Sequence, residues 1–482
     1  MSFFTRILLF LFLLFFATLT ICVFRALVYF RPPKDAELCG DNETHKAIKA
    51  SSALYERFAR ALKIETVTRG EHKYDKDALI SIREFLEKTF PRIHSSSFIK
   101  REIISEYSLL YTIKGSDASL KPYMLCSHLD VVPVEIDKWS VDPFGGQIKN
   151  GYIYGRGTID LKDTLMAIME SLEFLLENGF KPKRSFYLAF GHDEEGSGVE
   201  GAAAMTKIIK SRTPDLEYLL DEGSVIVNRT FKGVKPMVAV VGVTEKGYLT
   251  LKMNVTGAHG HSSLAPYETS IVTLSKAITK LHANAFPSRF GSGIEKDIFE
   301  LLAPYAEFPY KLAFSNLWLF GPLVSYLLSS TPVGNSLIRT STAVTMIEGG
   351  FKANVLPSSC YAMVNHRIHP AESIAEVIEY DRRLINDDPK FEPHPISPYD
   401  ENAFGFQAVR RSIREVFANI VVVPGIMLAS TDTKYYLDLT KNIYRFSPVI
   451  MTPEEFKLFH GHNERISLKN YLQIVNFYHH LM

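Results

Sequence analysis

Ser185-Phe-Tyr-Leu-Ala-Phe-Gly-His-Asp-Glu-Glu-Gly196 is the stretch on which the fold turns. Its first half, Ser185 to Phe190, is a continuous apolar run bounded by polar residues, which predicts a strand buried on both faces. Its second half passes at once into Gly191, His192 and three successive carboxylates, Asp193, Glu194 and Glu195. Carboxylates released at the end of a buried strand are costly unless solvent or a cation compensates them, so an exposed loop and an ion-binding crevice are the two readings. Working outward, Tyr123-Met124-Leu125-Cys126 predicts a second buried strand, with Cys126 as a core filler. Leu165, Ile168, Met169, Leu172 and Leu176 recur at helical spacing, and Asn178-Gly179 gives that helix its stop. Ala202 to Lys210 predicts another helix, and Leu216 to Leu220 another strand. The alternation predicts an α/β fold, a mostly parallel sheet with helices on both sides.

From Thr244 the rhythm changes. Leu249, Leu251, Met253 and Val255 alternate with Thr250, Lys252 and Asn254, the period of a strand with one face in water. This predicts an α+β lid domain at 244–368, inserted into a catalytic domain made of 34–243 and 369–482. Residues 1–33 form a membrane anchor or signal segment. The run Ile7 to Phe24 carries no charge and would reach about 27 Å as a helix, enough for a bilayer core. No Ala-x-Ala cleavage pattern follows it, and Arg31-Pro32-Pro33-Lys34 would be its polar exit.

The balance of 54 Lys+Arg against 53 Asp+Glu in 482 residues gives no electrostatic footprint for nucleic acid. Four cysteines cannot make a disulfide scaffold, and Cys39 and Cys360 complete the set with Cys22 and Cys126. Sequons at Asn42, Asn228 and Asn254 suit a glycosylated luminal or extracellular body without requiring one.

Four polar sites follow the predicted strands and turns. In Ser127-His128-Leu129-Asp130 an extended backbone points His128 and Asp130 to one side, so that the carboxylate orients a histidine ligand; a surface histidine beside an aspartate is the plainer reading. Gly155-Arg156-Gly157-Thr158-Ile159-Asp160 delivers Asp160 before a helix, as a ligand or as its N-cap. Glu194 and Glu195 end one strand, and Asp221-Glu222-Gly223 ends another. Open α/β sheets place their ligand crevice at the carboxyl ends of strands. Nitrogen and oxygen donors of this kind suit Zn²⁺, and several carboxylates suit two ions sharing a bridging aspartate. His460, in Phe459-His460-Gly461-His462-Asn463-Glu464, is the candidate fifth ligand, though spacing alone does not separate it from His462.

These motifs, in this order, resemble the co-catalytic zinc metallopeptidase family of aminoacylases, bacterial glutamate carboxypeptidase and carboxypeptidase S. Within it the chain is most similar to the branch that makes and hydrolyses N-fatty-acyl amino acids. Thr244-Glu245-Lys246-Gly247, Gly260-His261-Ser262-Ser263, Asn354-Val355-Leu356-Pro357 and Arg367-Ile368-His369-Pro370 extend the resemblance over nearly all of 50–482. It implies a di-zinc aminopeptidase-like catalytic domain interrupted by a lid, and two zinc ions per chain. Asp160 would bridge them, His128 and Asp221 would complete one ion, and Glu195 and His460 the other. Glu194 would be the general base that passes a proton from the attacking water to the leaving amine, and Asp130 would fix the His128 tautomer. His261 would stabilise the tetrahedral oxyanion, from its own chain or from the partner in a homodimer. Asn354 and Arg367 would bind substrate, Arg367 through the α-carboxylate. His192, His259, His366, His369 and His462 are read as structural.

The activity so implied is a zinc-dependent amidohydrolase that cleaves, and in reverse forms, the amide between an acyl group and an amino acid. A carboxypeptidase acting on short peptides and a non-catalytic membrane-tethered binding protein are the alternatives. The segment Leu301 to Leu328, rich in aromatic and aliphatic residues, is expected either to pack as a helical pair in the lid core or to offer an apolar surface to an acyl chain or a membrane.

Overall fold

The computed structural model describes residues 3–31, 47–213, 215–384, 394–429 and 431–482. Cys39, the sequon at Asn42 and the Pro32-Pro33-Lys34 exit lie outside the described residues. In chain order the elements that place the site are α1 (Phe3–Phe24), β1 (Ile99–Ile104), β2 (Ser108–Ile113), β3 (Tyr123–His128), α2 (Lys162–Glu177), β4 (Phe186–Gly191), α3 (Ala202–Arg212), β5 (Leu219–Val227), β6 (Val238–Glu245), β7 (Gly247–Thr256), α4 (Ser270–Ala283), α5 (Leu317–Ser329), β8 (Ser341–Gly349), β9 (Ser359–Ile368), α6 (Ile374–Leu384), β10 (Val421–Met427), β11 (Ile443–Met451) and α7 (Leu468–Leu481).

The fold is the α/β class expected. Eight strands form one sheet in the order β1-β2-β4-β3-β5-β11-β6-β10. Its centre, β4-β3-β5-β11, is parallel, while β1 and β2 add an antiparallel edge. Every residue of β3 and β4 is buried, because helices cover both faces. On one face α2 packs Leu165, Met166, Ile168, Met169 and Leu172 into the main core, and α7 packs beside it. The end of α2 explains why the chain turns there. Gly179 adopts φ +80, its N–H donates to the carbonyl of Leu176 and that of Phe180 to Leu175, closing the helix in a left-handed C-terminal cap.

One strand differs from its expected length. β5 does not stop at Leu220 but continues to Val227 through an irregularity opposite Arg445 and Phe446. Gly223 permits this: its φ is +150, and a Cβ there would lie 2.7 Å from that of Arg445. Asp221 and Glu222 are thereby held within the strand rather than on a loop beyond it.

A second sheet, β8-β9-β7, is antiparallel and has its own core. From Cys360 onward β9 alternates buried and half-buried residues, and α4 and α6 cover one face through Leu274, Leu281, Val377 and Ile378. The apolar segment around α5 belongs elsewhere. Phe314, Leu317 and Val324 join the same core as Leu125 and Phe190, not the core of the second sheet, while the far side of α5 is exposed.

The two sheets meet where β6 gives way to β7, at a buried carboxylate. Glu245 accepts hydrogen bonds from Nε of Arg445 (3.0 Å), Oγ1 of Thr433 (2.8 Å) and the backbone N–H of Thr431 (2.8 Å), and His394 lies 3.1 Å away. Burial pushes its carboxyl up, but His394 and Arg445 outweigh burial and hold it at about 2. An unfolded glutamate titrates near ~4.3, so this stabilisation is complete above that pH and is lost as pH falls towards 2. Glu245→Ala strands the buried Arg445 and should cost about 3–5 kcal/mol, read as a fall in the denaturant midpoint. Removing the exposed partner of Lys210, Asp438, should cost no more than about 1 kcal/mol. Equal losses at the two positions would contradict this account.

Candidate active site

Three parallel strands deliver the site. β3 ends in His128, β4 runs into Glu194 and Glu195, and the bulged β5 carries Asp221 and Glu222. Asp160 arrives on the turn before α2. It does not cap that helix, whose first position is preceded by Leu161 with no side-chain cap, so its carboxylate is free for other partners.

The carboxylate of Asp160 lies between two imidazoles, with Oδ1 3.1 Å from Nε2 of His128 and Oδ2 3.0 Å from Nε2 of His460. Glu195 stands 3.4 Å from the same nitrogen of His460. His460, rather than His462, therefore faces the cluster; His462 points to Glu135 at 3.7 Å. His128, Asp160 and Glu195 form one group whose ligand atoms are close enough to hold a cation, and His128, Glu194 and Glu222 form a second. Among the described residues these are the two such groups, and they share His128.

The three carboxylates after β4 divide their tasks. Asp193 turns back and accepts from the N–H groups of Glu200 (2.9 Å) and Gly201 (2.8 Å), fixing the loop. Glu194 and Glu195 are left for the site, their own N–H groups donating to the two oxygens of Asp130 at 3.3 and 3.2 Å. Asp130, fully buried, thus anchors the loop as well as the histidine. Nδ1 of His128 is 2.9 Å from the carbonyl oxygen of Asp130 and 3.4 Å from its carboxylate, so the backbone carbonyl takes the larger part in setting the tautomer.

The fit to cations is visible in what these groups lack. Oε1 of Glu195 and Oδ2 of Asp221 are buried without a hydrogen-bond partner. Burial, with Asp432 nearby, pushes the Glu194 carboxyl well up; burial and Glu194 do the same for Glu222, and burial raises Asp221 to about 6. The histidines move the same way. Burial lowers His128, but Asp130 and Asp160 outweigh it and hold it well above the ordinary imidazole range; Asp160 and Glu195 raise His460 to about 10. Protons fill the place of positive charge, and divalent ions are its natural replacement.

Three groups carry weight that the sequence reading did not assign. Glu222 reaches to 3.8 Å of Nε2 of His128, closer company than its neighbour Asp221 has; its position beside Asp221 was the only signal. Asp432 is buried within electrostatic reach of Glu194 and Asp221, and it too follows an apolar strand, β10, in a polar Thr431-Asp432-Thr433 turn. Glu464 and Arg156 tie the two glycine-containing motifs together. Nη1 of Arg156 donates to Glu464 (2.5 Å), Nη2 to the carbonyls of His460 (3.3 Å) and Gly461 (3.2 Å), and Glu464 accepts the N–H of Ile159 (2.9 Å). That buried clamp sets His460 against Asp160.

The second sheet holds the other candidates apart from this cluster. His261 and Val355 pair across two short strands, so His261 and Asn354 are neighbours, both exposed. Nδ1 of His261 is 2.7 Å from Oγ of Ser263. Arg367 lies on β9 with its guanidinium over the ring of Tyr248 at 4.7 Å; Nη1 is buried without a partner, and burial lowers its pKa. His192, His366 and His369 are buried against Ser108, Asp381 and Glu295.

A mostly parallel sheet whose strand ends gather histidines and carboxylates, with a second sheet inserted after β6, defines a metal-dependent hydrolase. The chain belongs to the M20 peptidases: the family described as Peptidase family M20/M25/M40 matches residues 124–482. It is 42% identical over 442 residues to the N-fatty-acyl-amino acid synthase/hydrolase PM20D1 of Xenopus tropicalis, covering 90% of this chain and 86% of that one. It is 39% identical over 467 residues to the probable carboxypeptidase S-like 2 of Dictyostelium discoideum, covering 94% and 89%. The M20 metallo-carboxypeptidase Sso-CP2 of Sulfolobus solfataricus shares the fold, with a TM-score of 0.66 at 18% identity over 90% of this chain and 98% of that one.

Because a ligating imidazole must be neutral, cation binding has to expel the protons that His128 and His460 hold. Zinc titrated into the chelator-stripped chain in weak buffer should acidify the solution, and affinity should rise with pH across the neutral range, because neighbouring carboxylates hold both imidazoles above their ordinary range. Affinity that is flat across the neutral range, with no proton release, would contradict this assignment.

Proposed function

We propose that the chain is a di-zinc amidohydrolase that cleaves, and in reverse forms, the amide between a fatty acyl or other acyl group and an amino acid. The observation that carries this reading is the position of Glu194: half-buried, held by Asp130 through its backbone, and facing Glu222 and the buried His128 in one group. The named activity of the PM20D1 relative supports the substrate class. Asp160 would bridge two ions, with His128 and Asp221 on one and Glu195 and His460 on the other; Glu222 offers a further oxygen beside His128. Bound divalent ions would supply Lewis acidity for the scissile carbonyl and for a water.

The remaining work falls to the chain's own side chains. As water adds to the carbonyl carbon, Glu194 takes its proton; as the C–N bond breaks, Glu194 returns that proton to the leaving nitrogen. Arg367, desolvated and short of a partner, suits the α-carboxylate of the amino acid through two parallel N–H bonds. His261 and Asn354 would meet the substrate from the lid at 244–368, His261 donating to the developing oxyanion. Their exposure means that a movement of the lid or a second copy of the chain must complete the site. The lid edge strand β8, with Met346 and Ile347 exposed, is a surface for such a homodimer. The apolar N-terminal helix would anchor a luminal or extracellular body, glycosylated at Asn228 or Asn254, or be cleaved to release it.

A carboxypeptidase acting on short peptides is the second reading, favoured by the carboxypeptidase S-like relative and served by the same Arg367. N-acetyl, N-octanoyl and N-oleoyl phenylalanine, assayed beside a dipeptide, separate the two. Acyl specificity predicts that kcat/KM climbs with chain length, each buried methylene contributing up to about 0.8 kcal/mol. A flat acyl series with faster dipeptide cleavage would favour the peptidase. Glu194→Gln should retain zinc and lower kcat by about 10²–10⁴-fold; full activity in that variant would overturn the assigned base.

A further inference from the structure

The N-terminal helix does not hang free of the catalytic body. Continued to Tyr29, it is the one stretch among the described residues long and apolar enough to cross a membrane, and nearly all of it is exposed. The exceptions are Cys22 and Ala26, 2% and 0% exposed, which lie where the helix meets the segment leading into α5. Nδ2 of the fully buried Asn316 donates to the carbonyl of Cys22 (3.0 Å) and to that of Leu312 (2.9 Å). Nε of Arg25 donates to the carbonyl of Ser315 (3.0 Å). Oδ1 of Asn316 accepts the indole N–H of Trp318 (3.3 Å), so one amide joins the apolar helix, the body and the start of α5.

α5 is apolar on both sides. Leu317, Gly321 and Val324 form the buried stripe, with Leu317 and Val324 in the main core. Leu319, Leu323, Tyr326 and Leu327 recur at the same helical spacing on the other side, and with Trp318 they are 43–74% exposed. The sequence Leu317-Trp-Leu-Phe-Gly-Pro-Leu-Val-Ser-Tyr-Leu-Leu-Ser329 contains no charge. A surface helix in water carries polar residues on its outer side; this one carries a contiguous apolar face. At thirteen residues, about 20 Å, it is too short to span a bilayer. Phe3 to Cys22 rises about 28 Å, so α5 meets the N-terminal helix one hydrocarbon thickness from its start, at the level of the membrane surface. Trp318 and Tyr326, each with an apolar ring and a polar tip, suit that level.

The geometry points to α5 as a second membrane contact, lying in the interface of the bilayer that α1 enters and holding the catalytic body against it. The occupant of the exposed face is lipid. Phospholipid acyl chains and interfacial headgroups match both the apolar stripe and the aromatic pair, and the face is continuous with the helix docked beside it. The inference rests on the anchor reading of α1, and the following test separates the two.

The full chain is reconstituted into phosphatidylcholine vesicles, washed at alkaline pH, and its tryptophan emission is read with lipids brominated at shallow or deep acyl positions. The chain has two tryptophans, Trp139 and Trp318. Quenching is expected to be strongest with shallow bromines and to be lost in Trp318→Phe, which leaves Trp139. Leu323→Glu with Leu327→Glu, which keeps Trp318, should weaken it. Emission unaffected by any brominated lipid in a chain that survives the wash would overturn the second contact while sparing the anchor. Unquenched Trp318 together with vesicle-dependent dimers would assign the face to a second copy and overturn it likewise. A chain that washes off entirely would overturn both.

Discussion

Like charge gathered in a low dielectric is the constraint on which the rest of this structure depends. Asp160, Glu194, Glu195, Asp221, Glu222 and Asp432 converge on His128 from four segments far apart in sequence, the pairs Glu194-Glu195 and Asp221-Glu222 each sharing one. Among the described residues, protein donors satisfy only part of this cluster. Buried oxygens of Glu195 and Asp221 are left without partners, and protons are driven onto groups that would ordinarily lose them. The chain spends folding stability to keep these groups together, which is the usual signature of a site built for cations.

The architecture around the cluster can be read as the means of holding it. Parallel strands with both faces covered bring His128 and the Glu194-Glu195 pair to one rim. Asp130 pins the backbone of both glutamates, and Arg156 with Glu464 pins the turn of Asp160 to that of His460, although 304 residues separate Arg156 from His460. Glu245 and Arg445 then fasten the junction from which the second sheet departs. Each clamp is a buried ion or hydrogen-bond network, strong because water is excluded and fragile because no member is dispensable.

Much of this was legible in the chain because the relevant signals are local. The apolar run ending in three carboxylates marks β4, the helical spacing from Leu165 marks α2, and the alternation from Leu249 marks the one-sided strand β7. His460 could not be told from His462 by spacing, since both lie in one short turn; only the approach of Asp160 to one imidazole separates them. Asp432 and the Arg156–Glu464 clamp escaped for the same reason, their roles existing only once distant segments meet. The run at 301–328 left two readings open, a helical pair in the lid core or an exposed apolar surface. Apolar composition does not record which core receives a helix or which side faces out: one side of α5 packs into the main core rather than that of the lid sheet, and the other is exposed.

The central claim is that the carboxylate cluster is held for two cations sharing Asp160. Anomalous scattering from zinc-loaded crystals tests it most directly. The account predicts two peaks about 3.5–4 Å apart on either side of the Asp160 carboxylate, one near His128 and the other near His460. A single peak, or peaks away from Asp160, would contradict it.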